Sequence, residues 1–122
     1  MKVLLSIKPE YAEKIFEGEK KFEFRRAIFK NPKTTHVVVY VSSPIQKVIG
    51  EFEIDEIVHD EISILWEKTQ YYSGITKEKF FAYFSNKEKG YAIKIGKITE
   101  YKEPLSLKTN FQCSPPQSFV YI

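Results

Sequence analysis

The chain has 122 residues, of which 43% are apolar and 16% aromatic, with a net charge of +3. That length and apolar content exclude a disordered linker and predict one domain, 1–122, with its own core. Cys113 is the only cysteine, which excludes an intrachain disulfide and agrees with a reducing compartment.

In chain order, Val3 to Ile7 reads as a first strand, with Val3, Leu5 and Ile7 on one face and Ser6 and Lys8 on the other. This apolar run is too short for a signal-peptide core or a membrane span, so the reading is a cytoplasmic protein without membrane contact. Pro9 suits the first position of a helix, and Tyr11, Ala12, Ile15 and Phe16 recur at helical spacing. Gly18 ends that helix. Lys21 to Arg26 alternates Phe22 and Phe24 against Lys21, Glu23 and Arg25, a strand period. His36 to Val41 is near-continuously apolar and β-branched, as in a central strand covered on both faces. Ser42-Ser43-Pro44 is turn chemistry.

Val48 to Val58 reads as a longer strand, with Val48, Gly50, Phe52 and Ile54 on one face and Glu51, Glu53 and Asp55 on the other. Gly50 marks a bulge or a close backbone approach. Residues 60–72 fit a helix, with Ile62, Leu65, Trp66 and Thr69 along one side. Thr76 caps a further helix bearing Phe80, Phe81 and Phe84. Trp66 and these phenylalanines read as core, whereas Tyr71 and Tyr72, at a helix end, are placed to stack on a base. Asn86 to Gly90 is a turn, Tyr91 to Tyr101 a long strand that Pro104 ends, and Phe119 to Ile122 a short apolar tail.

Charge is unevenly spread: residues 1–50 carry a net +5, residues 51–62 a net −6 and the remainder +4. A basic frame of this kind fits a nucleic acid or nucleotide on one face, and equally a mixed solvated surface. The densest charge lies in Gly18-Glu19-Lys20-Lys21-Phe22-Glu23-Phe24-Arg25-Arg26. On a regular strand Glu23 and Arg25 point the same way. They form either a polar site facing Ser6 and Lys8, or an exposed strand with cross-strand pairs of about 0.2–1 kcal/mol each. His36, His59 and Cys113 lack ligand spacing, and the glycines form no phosphate loop, so neither a metal site nor a cofactor is expected.

The Gly18-x-Lys20-x-x-Glu23-x-Arg25 pattern resembles the ASCH family of the PUA-like superfamily. So do Leu4-Leu5-Ser6-Ile7-Lys8-Pro9 before it and Gly90-Tyr91-Ala92-Ile93-Lys94-Ile95 in the late strand. The resemblance covers most of the chain and implies an α+β fold, a small PUA-like mixed β-barrel with flanking helices. The Pro115-Pro116-Gln117-Ser118-Phe119 tail resembles a subgroup sometimes found beside helix-turn-helix domains, implying such a regulatory partner; no such domain lies within these residues. PUA-like relatives bind RNA or accept a base near the barrel mouth. Some ASCH members are amidohydrolases of an acylated cytidine nucleoside, and some are ribonucleases. In the amidohydrolase pattern Lys20 matches the lysine, but Glu23 stands where those relatives carry a nucleophilic threonine. Glu67 and Glu78 lie in the region of the partner glutamate.

The leading expectation is an RNA- or nucleotide-binding cleft. Lys8, Lys20, Arg25 and Arg26 would meet phosphates or base edges, and Glu23 would orient Arg25 or read an amine. Ser42 and Ser43 could offer hydroxyls or simply turn the chain. Gln117 and Ser118 could line the cleft edge or lie along the barrel. The alternatives are a small hydrolase using Lys20 and Glu23, and a regulatory protein-interaction domain.

Overall fold

A computed structural model describes all of residues 1–122. The elements are β1 (Lys2–Ile7), α1 (Pro9–Phe16), β2 (Phe22–Arg25), β3 (His36–Val41) and β4 (Lys47–Glu61). Then follow α2 (Ile62–Thr69) with a 3₁₀ turn over Gln70–Tyr72, α3 (Lys77–Tyr83), β5 (Lys89–Leu105), a π-helical turn over Leu107–Phe111, and β6 (Phe119–Tyr121). All six strands join one mixed sheet in the order β2-β5-β4-β3-β1-β6. Only β1 and β3 run parallel. The sheet curls into a half-barrel, because Arg25 at one edge reaches Ser6 on β1 and Ser118 ahead of β6. The expected α+β mixed sheet with flanking helices is present.

Local chemistry sets the first elements. Lys8 is extended, as a residue before proline must be, and Pro9 opens α1 with Glu10 in its first turn. Gly18 turns the chain out of α1 at φ +85°, a conformation that costs other residues. Ala12 and Ile15 press α1 onto one sheet face with Val3, Leu5, Ile7, Val37, Val39 and Val41. Leu4, Val38, Tyr40 and Leu107 fill the other face, so β3 is covered on both sides as its composition predicts. A third cluster joins Phe24 and Ala92 to Leu65, Phe80 and Phe84 under α2 and α3. Phe80 and Phe84 are fully buried and Trp66 packs beside them, as expected, while Phe81 stays 37% exposed.

The structure corrects the alternation expected for β4. Tyr40 faces Val48 and Val39 faces Gly50, so Ile49 is an extra, bulged residue. Val48 therefore packs with Leu4 on one face and Phe52 with Val3 on the other, not side by side. Gly50 is a close approach as expected: a Cβ there would sit 2.6 Å from the Phe16 ring. Pro104 does not end β5. It falls in the irregular stretch between Glu100, opposite Gly50, and Leu105, opposite Val48, where no ladder donor is needed. The apolar tail forms β6, antiparallel to β1.

The acidic stripe divides. Glu53, Asp55 and Glu56 face solvent, but Glu51 turns onto Lys2 (2.8 Å) and the Tyr101 hydroxyl (2.8 Å). Burial pushes the Glu51 carboxyl up, but these hydrogen bonds outweigh it and hold the group below the usual carboxylate range. No helix is long and apolar enough to cross a membrane.

Candidate functional site

A concavity of about 630 Å³ opens where the C-terminal end of β1 meets β2, between α1 and α3. Five expected residues or their neighbours converge on it: Ser6, Lys8, Lys20, Glu23 and Arg25, with Gln117 from the tail. Four cations (Lys8, Lys20, Arg25, Lys79) face two carboxylates (Glu10, Glu23) across it.

Lys20 forms the floor. It is 2% exposed. The turn after α2 folds over its stem: at Gly74 (φ +63°) a Cβ would lie 2.6 Å from the Lys20 side chain. The ammonium donates to the Ser73 carbonyl at 2.6 Å and sits 4.8 Å above the Phe24 ring and 5.1 Å from that of Tyr11. Ser73 is itself fixed, its single hydroxyl proton shared between the carbonyls of Gln70 and Ile75, each at 3.1 Å. Lys20 takes part in none of the chain's ion pairs. Burial lowers its pKa to about 8, with Glu23 partly opposing the shift. An ammonium has three donors. One goes to Ser73, and the others are free for a ligand.

Glu23 is buried and pairs with Arg25 at 3.2 Å. The shared strand face expected for this pair is present. Arg25 also donates to the Ser6 carbonyl (3.4 Å) and the Ser118 carbonyl (3.0 Å). Its fork thus ties β2 to β1 and to the tail. The Ser6 hydroxyl completes the rim by donating to the Pro116 carbonyl at 2.8 Å. Glu10 and Lys79 approach within 3.7 Å across the mouth, linking α1 to α3.

The remaining expected residues lie elsewhere. Arg26 donates to the carbonyls of Tyr83 and Ser85, pinning the end of α3. Ser42 and Ser43 sit in the β3–β4 turn, where the Ser43 hydroxyl accepts from Gln46. Tyr72 is 55% exposed beside Lys21, outside the cleft. Ser118 is at the rim through its backbone.

Sequence reading missed two hydroxyls. Tyr11 and Tyr83 line the cleft, and burial raises the pKa of each. Tyr11 looked like one more apolar residue of α1, and only the depth of Lys20 reveals its place. No group of three or more His, Cys, Asp or Glu side chains could hold a metal.

The ASCH domain family model matches residues 5–108. The chain is 32% identical over 121 residues to the large ribosomal subunit protein uL22 of Ureaplasma parvum serovar 3, covering 98% of this chain and 39% of that protein. It thus spans about two fifths of that curated relative's length. It is 28% identical over 127 residues to an ASCH domain-containing ribonuclease of Zymomonas mobilis, covering 98% of this chain and 82% of that one. The crystal structure of ASCH from Zymomonas mobilis superposes with a TM-score of 0.90 at 26% identity, over 99% of this chain and 87% of that chain.

Proposed function

This chain belongs to the ASCH domain family and has a PUA-like half-barrel fold, and from that premise we propose that residues 1–122 act as one RNA-binding domain. One nucleotide would lodge in the cleft above Lys20. The observation that carries this reading is the Lys20 ammonium, held at the cleft floor with a single carbonyl acceptor and no carboxylate partner. A phosphate or base carbonyl would complete its coordination through charge-assisted hydrogen bonds. Lys8 and Lys79 would meet flanking phosphates, and Gln117 and Glu23 would read base edges. Arg25, already bonded to Glu23, Ser6 and Ser118, would fix the geometry of Glu23. The ribonuclease name of the Zymomonas relative is consistent with an RNA ligand.

Fluorescence anisotropy with labelled single-stranded RNA at two salt concentrations tests this. Binding should weaken with salt and weaken further in Lys20→Met and Lys8→Gln. Equal, salt-independent binding by wild type and both variants would overturn it.

A second reading, RNA cleavage in the same cleft, is favoured by the Lys20 pKa of about 8 and the nearby Tyr11. A neutral Lys20 amine would take the proton of a ribose 2′-hydroxyl as its oxygen bonds to the adjacent phosphorus. The phosphorus–O5′ bond would break, with Tyr11 returning a proton to the departing oxygen. The products would be a 2′,3′-cyclic phosphate and a free 5′-hydroxyl. Cleavage of end-labelled RNA that survives in both Lys20→Met and Tyr11→Phe would remove this reading.

A further inference from the structure

The antiparallel register places a row of three side chains beside the cleft. Arg25 lies opposite Tyr91, and Tyr91 lies opposite His59. Directly paired residues of neighbouring strands project from the same face of a sheet. The intervening residues Phe24, Ala92 and Val58 face the other way, into the cluster under α2 and α3. The Arg25–Tyr91–His59 row therefore occupies the face that α2 and α3 leave uncovered.

Tyr91 and His59 are stacked flat, with ring centroids 4.1 Å apart and planes within 9°. His59 is exposed and Tyr91 half-buried. Ile57, two residues before His59 on the same face, is 39% exposed. A pre-stacked pair with an open outer face matches what a nucleobase needs: a flat π surface already held rigid, so that little order is lost on binding.

We propose that His59 and Tyr91 form a stacking shelf for a second base of the single-stranded RNA whose first nucleotide occupies the cleft. Three observations select RNA over another occupant. The shelf is continuous with the cleft through Arg25, which belongs to both. Its partners are planar rings, not a broad apolar surface. Its cleft end carries the cations, while the far end sets Lys89 opposite Glu61 and adds no net charge. The shelf would thus read a base by stacking, with backbone charge neutralised at the cleft. This inference rests on the RNA reading of the cleft.

The test compares two probes on the full chain: uridine 5′-monophosphate, which fills the cleft alone, and a uridine oligomer of about ten nucleotides, long enough to reach a neighbouring subsite. His59→Ala and Tyr91→Leu should each weaken the oligomer roughly 10-fold, the effect of losing one stacked base, and leave the mononucleotide unchanged. Lys20→Met should weaken both. Circular dichroism of His59→Ala, a change at an exposed position, verifies that the sheet is intact. If the oligomer binds wild type and the two shelf variants alike, the shelf is overturned and the cleft stands. If neither probe binds wild type, both fall.

Discussion

Two charged groups are drawn into this molecule and treated in opposite ways. Glu51, beside the β3 and β5 ladders, receives two hydrogen bonds from Lys2 and one from Tyr101. Its charge is fully answered, and its pKa falls to favour the ionised form. Lys20 is buried more deeply, yet has one carbonyl and two ring faces in place of a carboxylate. Its pKa moves away from the charged form, to about 8. Glu23, the carboxylate that could have answered it, is paired with Arg25 instead. That difference is what the proposed RNA-binding role of Lys20 rests on.

The comparison can be broken most directly at Lys20. Lys20→Met should cost roughly 10- to 100-fold in RNA affinity, the worth of charge-assisted hydrogen bonds. It should leave folding stability within about 1 kcal/mol of wild type, because the lost bond to Ser73 is offset by removal of a desolvated charge. A large loss of stability with unchanged affinity would make Lys20 a structural residue after all.

Next in size is the turn that holds the lysine. Gly74→Ala meets both a left-handed backbone and the Lys20 stem. Urea denaturation should register a loss of about 1–3 kcal/mol. Affinity should fall as well, since Ser73 can no longer seat the ammonium. A neutral result would show that Lys20 does not depend on this turn.

Glu51→Ala should cost about 1 kcal/mol, since Lys2 stays half-exposed and solvent-screened, and should leave RNA affinity within about twofold. Both groups make stability rise with pH, but in separate windows. The Glu51 pKa is lowered on folding, so its contribution is present above the unfolded carboxylate pKa and is lost as pH falls through the folded one. The Lys20 pKa is lowered from 10.5 to about 8, so the unfolded chain binds more protons between those values and stability rises with pH across that window. RNA binding through the ammonium should decline above about pH 8, whereas cleavage by the neutral amine should increase there. The two profiles, taken on one preparation, separate binding from catalysis.

The smallest effect is expected at the cleft mouth. Glu10→Gln breaks an exposed pair with Lys79, costs less than about 1 kcal/mol, and should raise RNA affinity slightly at low salt by removing a carboxylate.

Much of this arrangement was legible residue by residue. Pro9 and Gly18 bound α1, the β-branched run of β3 announces a strand covered on both faces, and the alternation of β2 places Glu23 with Arg25. What stayed hidden depends on distant chain segments. The bulge at Ile49 is a register event between β3 and β4, so simple alternation put Val48 and Phe52 on one face. The depth of Lys20 is created by Gly74, more than fifty positions along. Lysine is seldom buried without a pair, so its place in the cleft was legible but its depth was not. Pairing of β6 with β1, which brings Gln117 and Ser118 to the rim, has no local signal at all.

The guanidinium of Arg25 also sets how the half-barrel yields to force. Its edges, β2 and β6, are laced by side chains, Arg25 reaching Ser6 and Ser118 and Tyr121 accepting from the N–H groups of Lys30 and Asn31, not by a ladder. A ladder changes its girth only in whole register steps, each breaking several bonds. A lacing can lengthen by tenths of an ångström at the expense of a few side-chain hydrogen bonds. The mouth is therefore compliant where the body of the half-barrel is stiff, and it can widen without any strand slipping.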